Sequence, residues 1–194
     1  LIQVSYERIF RMDSLKNGVY FITGAYGVGK TSLCDKLKER LSVPYFSASE
    51  LISVRNNEIY GASKAVKNKI ENQNILKKAI EQKLLKYPII LLNGHTAIFK
   101  KDRTVDLLPI QAFHCFHLRA IILLETTPDI LLKHLEGRDN IIYSTGEISA
   151  LIDAENQQCQ ILSAELKIPL LRHIMQYDDT DYLSITAQLQ EGNL

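Results

Sequence analysis

The sequence predicts an α/β fold, a mostly parallel sheet covered by helices on both faces, and three observations carry that prediction. Short apolar runs of strand length alternate with longer stretches whose apolar residues recur at helical spacing. Several of the runs are uninterrupted rather than alternating, as strands buried on both faces require. A glycine-rich loop stands directly between the first run and the first helical stretch.

In chain order, Val19-Tyr20-Phe21-Ile22-Thr23 follows the turn-like Lys16-Asn17-Gly18 and is rich in β-formers, so it predicts a buried strand. Ser32 to Leu41 predicts a helix, with Leu33, Leu37 and Leu41 on one stripe. Val43 to Phe46 predicts a second strand, and Ser49 is placed to cap a short helix through Leu51 and Ile52. From Ala62 to Leu85 the apolar residues keep helical spacing, interrupted at Glu71-Asn72-Gln73-Asn74, which predicts one long helix or two. Pro88 to Leu92, Ala120 to Leu124 and Pro169 to Ile174 are the remaining strand candidates, with helices expected near Pro128–Leu135 and Glu147–Leu166. In a sheet of this kind ligands bind at the carboxyl ends of the strands. Those ends fall at Gly24, at Asn93-Gly94-His95 and at Glu125.

Gly24-Ala25-Tyr26-Gly27-Val28-Gly29-Lys30-Thr31, followed by Ser32, matches the phosphate-binding P-loop at every fixed position. Glycines let backbone N–H groups converge on phosphate oxygens, and the following helix turns its positive end toward the same oxygens. Lys30 is the expected charge partner of the β- and γ-phosphates of ATP, and Thr31 the hydroxyl donor to Mg²⁺. The strand running in and the leucine-spaced helix running out are the context the motif needs.

The order of motifs resembles the nucleoside monophosphate kinases, and among them the compact archaeal-type adenylate kinases. The P-loop is followed by a short strand and then by Phe46-Ser47-Ala48-Ser49-Glu50-Leu51-Ile52, similar to the turn that opens their acceptor segment. Asn93-Gly94-His95, Arg138-Asp139 and the helix from Glu147 follow in the family's order. The resemblance implies a three-layer P-loop NTPase fold with a five-stranded sheet. It further implies an N-terminal extension over 1–17 and one domain over 18–194, with an acceptor-binding insertion near 47–86 and a short lid near 137–146. It also implies a kinase that passes the γ-phosphoryl of ATP to a small acceptor such as a nucleotide or nucleoside. Ser47, Ser49, Glu50, Asn93 and His95 are then substrate-side candidates, with Lys30 and Arg138 catalytic. Two departures stand out: Ser49-Glu50 replaces the usual Gly-Asp of the acceptor turn, and Asn93 stands where the family carries Asp. The amide keeps hydrogen bonds but loses the charge that orients the Mg²⁺ hydration shell, which Glu125 is placed to resupply. Arginines are few, with Arg55 and Arg103 the other candidates and Arg119 on the wrong end of a strand.

Composition narrows the class. Hydrophobic residues make up 46% of 194, enough for a core, and the net charge is +1, so the whole-molecule balance does not point to nucleic acid or membrane. Nine lysines between Gly61 and Lys101 face only Glu71 and Glu81, a local basic segment that keeps a polynucleotide end kinase as an alternative. Its lack of interleaved aromatics argues against nucleic acid. Cys34, Cys115 and Cys159 are widely spaced and predict reduced thiols in a cytoplasmic setting, and no apolar run reaches the ~18 residues of a bilayer span. His114-Cys115-x-His117 lacks a second ligand pair for zinc. The uncharged Asn93 leaves a further alternative of another class: a regulatory subunit that holds ATP, hydrolyses it slowly and acts through a protein partner.

Overall fold

The computed structural model describes residues 15–56, 69–136 and 141–190. β1 (Gly18–Thr23) is buried at every position and feeds through the glycine-rich loop into α1 (Lys30–Leu41), whose Leu33, Cys34, Leu37 and Leu41 face the core. β2 (Tyr45–Ser47) starts two residues later than Val43. Pro44 has no N–H to donate, although its carbonyl already accepts from Leu91 N at 2.9 Å. α2 (Ala48–Asn56) begins ahead of Ser49. Its cap is Ser47, whose Oγ accepts from Glu50 N at 3.5 Å, so the expected cap at Ser49 is displaced by two residues. α3 (Lys69–Lys86) and β3 (Ile89–Asn93) match the expected helix end and strand.

The chain then makes a hairpin that its pattern does not announce: β4 (Ala97–Phe99) against β5 (Val105–Leu107), antiparallel. Asp102 tightens the turn by accepting from Thr104 N at 3.0 Å and Thr104 Oγ1 at 2.6 Å. α4 (Ile110–Phe113), β6 (Leu118–Glu125), α5 (Pro128–Glu136), α6 (Thr145–Leu166) and β7 (Leu170–Ile174) follow. α6 opens on a capping box, Ser144 with Glu147, two residues earlier than the first expected helical residue. α7 (Asp179–Gln190) is the last element among the described residues and lies beyond the helices the sequence predicts. Asp178 starts it by accepting from Thr180 N at 2.8 Å, and Ile185 and Leu189 are buried.

The main sheet has the order β2-β3-β1-β6-β7 and every pairing in it is parallel. Helices cover both faces, giving a three-layer α/β P-loop NTPase fold. Strand alternation divides the core in two. Tyr20, Ile22, Leu91 and Ile122 pack with Leu33, Leu37 and Ile185, while Val19, Phe21, Leu92 and Ile121 pack with Leu76, Ile80, Phe113 and Leu162. Because β1 is central, the loop that leaves it opens in the middle of the sheet's carboxyl edge. β3 and β2 lie on one side of that loop, β6 and β7 on the other. Among the described residues no helix is long and apolar enough to cross a membrane.

Candidate active site

The loop between β1 and α1 is shaped by left-handed backbone that only glycine adopts without strain. Gly27 has φ 81° and Gly29 φ 97°, and Gly29 is also the N-terminal cap of α1. No side chain caps that helix and its first turn holds no acidic residue, so its leading N–H groups are left to an anion. Ala25 and Val28 turn their side chains into the core, anchoring the loop, while Tyr26, Gly27, Gly29, Lys30, Thr31 and Ser32 line an open cavity of about 660 Å³. Lys30 is buried, and its Nζ donates to the carbonyls of Gly24 at 2.8 Å and Ala25 at 3.0 Å. The ammonium is thereby held over the loop it would serve.

Asn93, the last residue of β3, lies beside Thr31, with Nδ2 and Thr31 Oγ1 3.4 Å apart. The parallel pairing of β1 with β3 brings the two together across 62 residues of sequence. His95 follows at the same edge and lines the cavity, its ring 4.4 Å from that of Tyr26, edge to face. Its Nδ1 is 3.0 Å from Glu155 Oε1. Glu155, on α6, is 1% exposed and accepts also from Thr23 Oγ1 at 2.9 Å, Thr96 N at 3.1 Å and Thr96 Oγ1 at 2.5 Å. Burial alone would raise its carboxyl, but the hydrogen bond and charge of His95, the charge of Lys30 and the Thr96 hydroxyl outweigh it. Glu155 is held below the usual carboxylate range and ionised. Nothing local in the α6 sequence singles it out; only the helix's passage behind β1 and the segment after β3 does.

The remaining expected residues divide. Ser49 lines the cavity, whereas Ser47 and Glu50 are not among the described wall residues and Ser47 is engaged with Ser49 Oγ at 2.9 Å. Glu125 does not resupply charge beside Asn93. Arg172 takes it with two hydrogen bonds, Nε at 2.9 Å and Nη2 at 2.6 Å, on the β6–β7 side of the sheet. Arg103 donates to the Ile142 carbonyl at 2.8 Å and reaches Glu147 at 3.4 Å, tying the hairpin turn to the start of α6. Arg119 Nε donates to the Asn17 carbonyl at the opposite edge of the sheet, as expected. Arg138, with residues 137–140 of the lid segment and residues 57–68 of the insertion, lies outside the described residues, and nothing is described of the Arg55 side chain.

The far end of the cavity was not foreseen. Met175 and Tyr177, from the segment joining β7 to α7, close it together with His134 of α5. The His134 and Tyr177 rings meet edge to face at 4.8 Å, and His134 Nδ1 is 2.9 Å from the Gly27 carbonyl. Asp181 fixes this segment by accepting from Gln176 N and Tyr177 N, both at 2.8 Å, and pairing with His173 at 2.7 Å. Burial opposes ionisation of Asp181, yet those hydrogen bonds prevail and lower its carboxyl. The buried thiol of Cys34 is pushed up to about 12 by desolvation, so it is no nucleophile near neutral pH. Among the described residues no group of three or more His, Cys, Asp or Glu could hold a metal ion.

A family model described as an AAA domain matches residues 23–145. No curated protein matches the sequence. Among solved structures, the shikimate kinase from Acinetobacter baumannii in complex with shikimate aligns with a TM-score of 0.58 at 10% identity, covering 89% of this chain and 90% of that one. The shikimate kinase from Aquifex aeolicus gives 0.58 at 13% identity over 90% and 97%. A gluconokinase from Sinorhizobium meliloti gives 0.55 at 14% identity over 91% and 95%. At such identities the likeness is one of fold.

Proposed function

This chain belongs to the AAA domain family, and from that premise we propose that it is an ATP-dependent phosphotransferase acting on a small molecule. One observation carries the reading: a single cavity runs past the phosphate loop in both directions. The nucleotide takes the side walled by His134, Met175 and Tyr177, with its phosphates along Gly27–Ser32 and against Lys30. The acceptor takes the side walled by α2, α3 and the end of β3, so the γ-phosphoryl lies between the two. The acceptor hydroxyl oxygen bonds to the γ-phosphorus as the bridging P–O bond to the β-phosphate breaks, and ADP leaves. The proton of that hydroxyl passes to His95. With Nδ1 donating to Glu155, the lone pair of the ring sits on Nε2, and the ionised carboxylate favours the imidazolium that results.

Mg²⁺ is implied by the fold. The fit rests on Thr31 Oγ1, a neutral oxygen at the loop, with the Asn93 amide beside it, Nδ2 3.4 Å away. A hydroxyl there suits a hard cation that draws its other ligands from phosphate and water. When bound, Mg²⁺ would neutralise charge on the β- and γ-phosphates. Orientation of the cation's water shell falls to Asn93 as a dipole rather than as a charge.

The finer likeness to compact adenylate kinases is supported by the order Asn93-Gly94-His95 and Arg138-Asp139. It supplies ATP as donor and Arg138 as a transition-state cation, and the widely spaced cysteines suit a cytoplasmic setting. The uncharged Asn93 favours a second reading, a subunit that holds ATP and regulates a protein partner. Lys30→Ala tests the phosphate-loop assignment directly. Loss of a charge-assisted contact of about 1.5–3 kcal/mol should weaken MgATP binding ~10–100-fold in calorimetry, with the melting profile retained. Unchanged affinity would end both readings, since both place phosphate at Lys30.

A further inference from the structure

Resting on the phosphotransfer reading, we propose that Tyr26 is a positioning residue for His95: the phosphate loop itself carries the ring that aligns the proton acceptor with the phosphoryl group the loop holds. The hydrogen bond to Glu155 leaves part of that alignment open. It makes Nδ1 the protonated nitrogen, yet a single bond acts as a hinge, because rotation about χ2 of a histidine is only broadly restrained. Any tilt about it swings Nε2, the nitrogen that must face the acceptor hydroxyl. A misplacement of ~1 Å at a reacting group costs up to about 100-fold in rate, so the tilt matters.

Tyr26 supplies the second restraint. Its ring centroid is 4.4 Å from that of His95 and the two planes cross at 62°, an edge-to-face contact that blocks the tilt. The P-loop pattern leaves this position open to any residue, since phosphate is held by backbone N–H groups and by Lys30. Here it carries an aromatic ring that is 4% exposed. Its neighbours keep it still: Ala25 and Val28 are buried, and His134 holds the Gly27 carbonyl. The β4–β5 hairpin braces the ring in turn. Phe99 meets Tyr26 at 5.8 Å and stacks on Tyr143 at 5.6 Å, with Arg103 of the hairpin turn over Tyr143 at 5.7 Å. His95, Tyr26, Phe99 and Tyr143 thus form one continuous chain of ring contacts. Tyr143 directly precedes the Ser144 cap of α6, and Glu155 lies within that helix, so both restraints on His95 trace back to α6.

The test reads His95 directly, by carbon-13 relaxation of the histidine rings in the whole labelled chain. His95 is one of five histidines, identified by the signals that vanish in His95→Gln. Its ring should be as ordered as the backbone and protonated at Nδ1. Tyr26→Leu should leave the tautomer alone, since Glu155 sets it, and lower the ring order. Tyr26→Phe should keep the order of the parent, and Phe99→Leu, which leaves the loop sequence intact, should reproduce part of the loss. A second readout is MgATP hydrolysis, in which water stands in for the acceptor. The water oxygen bonds to the γ-phosphorus, the β–γ bridge breaks to release ADP, and the proton goes to His95. Phosphate release by Tyr26→Leu should fall ~10–100-fold, and affinity for a non-hydrolysable MgATP analogue should fall less, a split that a merely structural role would not produce. Ring order in Tyr26→Leu equal to that of the parent would overturn the proposal, as would equal losses of turnover and affinity. Phosphate release by His95→Gln at the parent rate would instead bring down proton transfer to His95 in the reading beneath it.

Discussion

The two ends of the cavity are built from different materials. The phosphate end is backbone: eight consecutive residues, Gly24 to Thr31, whose glycines set left-handed turns at Gly27 and Gly29 and whose N–H groups do the work. The acceptor end is side chains, contributed by β1, α2, α3, the segment after β3, and α4. A backbone site holds any anion of the right spacing and depends on its glycines for shape, with Lys30 adding charge. A side-chain site is selective, and it stands or falls with the packing of elements far apart in the chain.

Breaking each end separately sharpens that difference. The largest effect is expected at Glu155, the buried anchor of the acceptor end. Glu155→Ala strands the donors of Thr23 and Thr96 and should cost about 2–4 kcal/mol in urea denaturation. A loss below ~1 kcal/mol would mean that the network is not structural. Glu155→Gln, which keeps the volume, separates charge from packing. The folded carboxyl lies below its ordinary 4.5, so its contribution to stability is present above pH 4.5 and is lost as pH falls through the lower folded value. The amide variant should shed that part of the acid limb and keep the part due to Asp181, whose carboxyl is also depressed from 3.8.

A smaller effect is expected at the backbone end. At φ 97°, and with Met175 Cε 3.3 Å from the added methyl, Gly29→Ala is strained by about 1–2 kcal/mol. It should lower the melting temperature slightly and MgATP affinity more. Equal affinity for MgATP in parent and variant would show that the cap of α1 does not shape the phosphate site.

The same contrast explains what could be read without coordinates. The phosphate loop, α1 and the buried strands β1, β3 and β6 are local in the chain, so the Gly24–Thr31 spacing and the apolar runs announce them. Asn93 is also legible, because a strand end in a parallel sheet has a known address. Glu155 is not: a glutamate in a helix is ordinarily solvated, and only the fold puts Thr23, His95 and Thr96 around it. Tyr177 and His134 escaped for the same reason, since 43 residues separate them and their contact exists only across the loop. The β4–β5 hairpin fell below the length at which alternation is visible.

The smallest expected effect lies where the two ends meet. Asn93→Asp restores a carboxylate 3.4 Å from Thr31 Oγ1 in place of the amide. In a working kinase it should lower the Mg²⁺ concentration needed for half-maximal turnover a few-fold, with turnover equal or higher. In an ATP-holding regulator it should instead raise a slow basal hydrolysis. Mg²⁺ titrations of both activities decide between them, and indifference of both would place Asn93 away from the cation.

The clasp of α5 on the loop bears on how a nucleotide arrives. A free glycine-rich segment surrenders roughly 1–2 kcal/mol per residue when an anion orders it. Here Gly27 is already fixed, by His134 on its carbonyl and by Leu135, 3.2 Å from where a Cβ would stand. The disorder was given up when the chain folded. Capture of the phosphates is then a docking onto a finished surface, with its pace set by diffusion and charge rather than by the loop finding its shape.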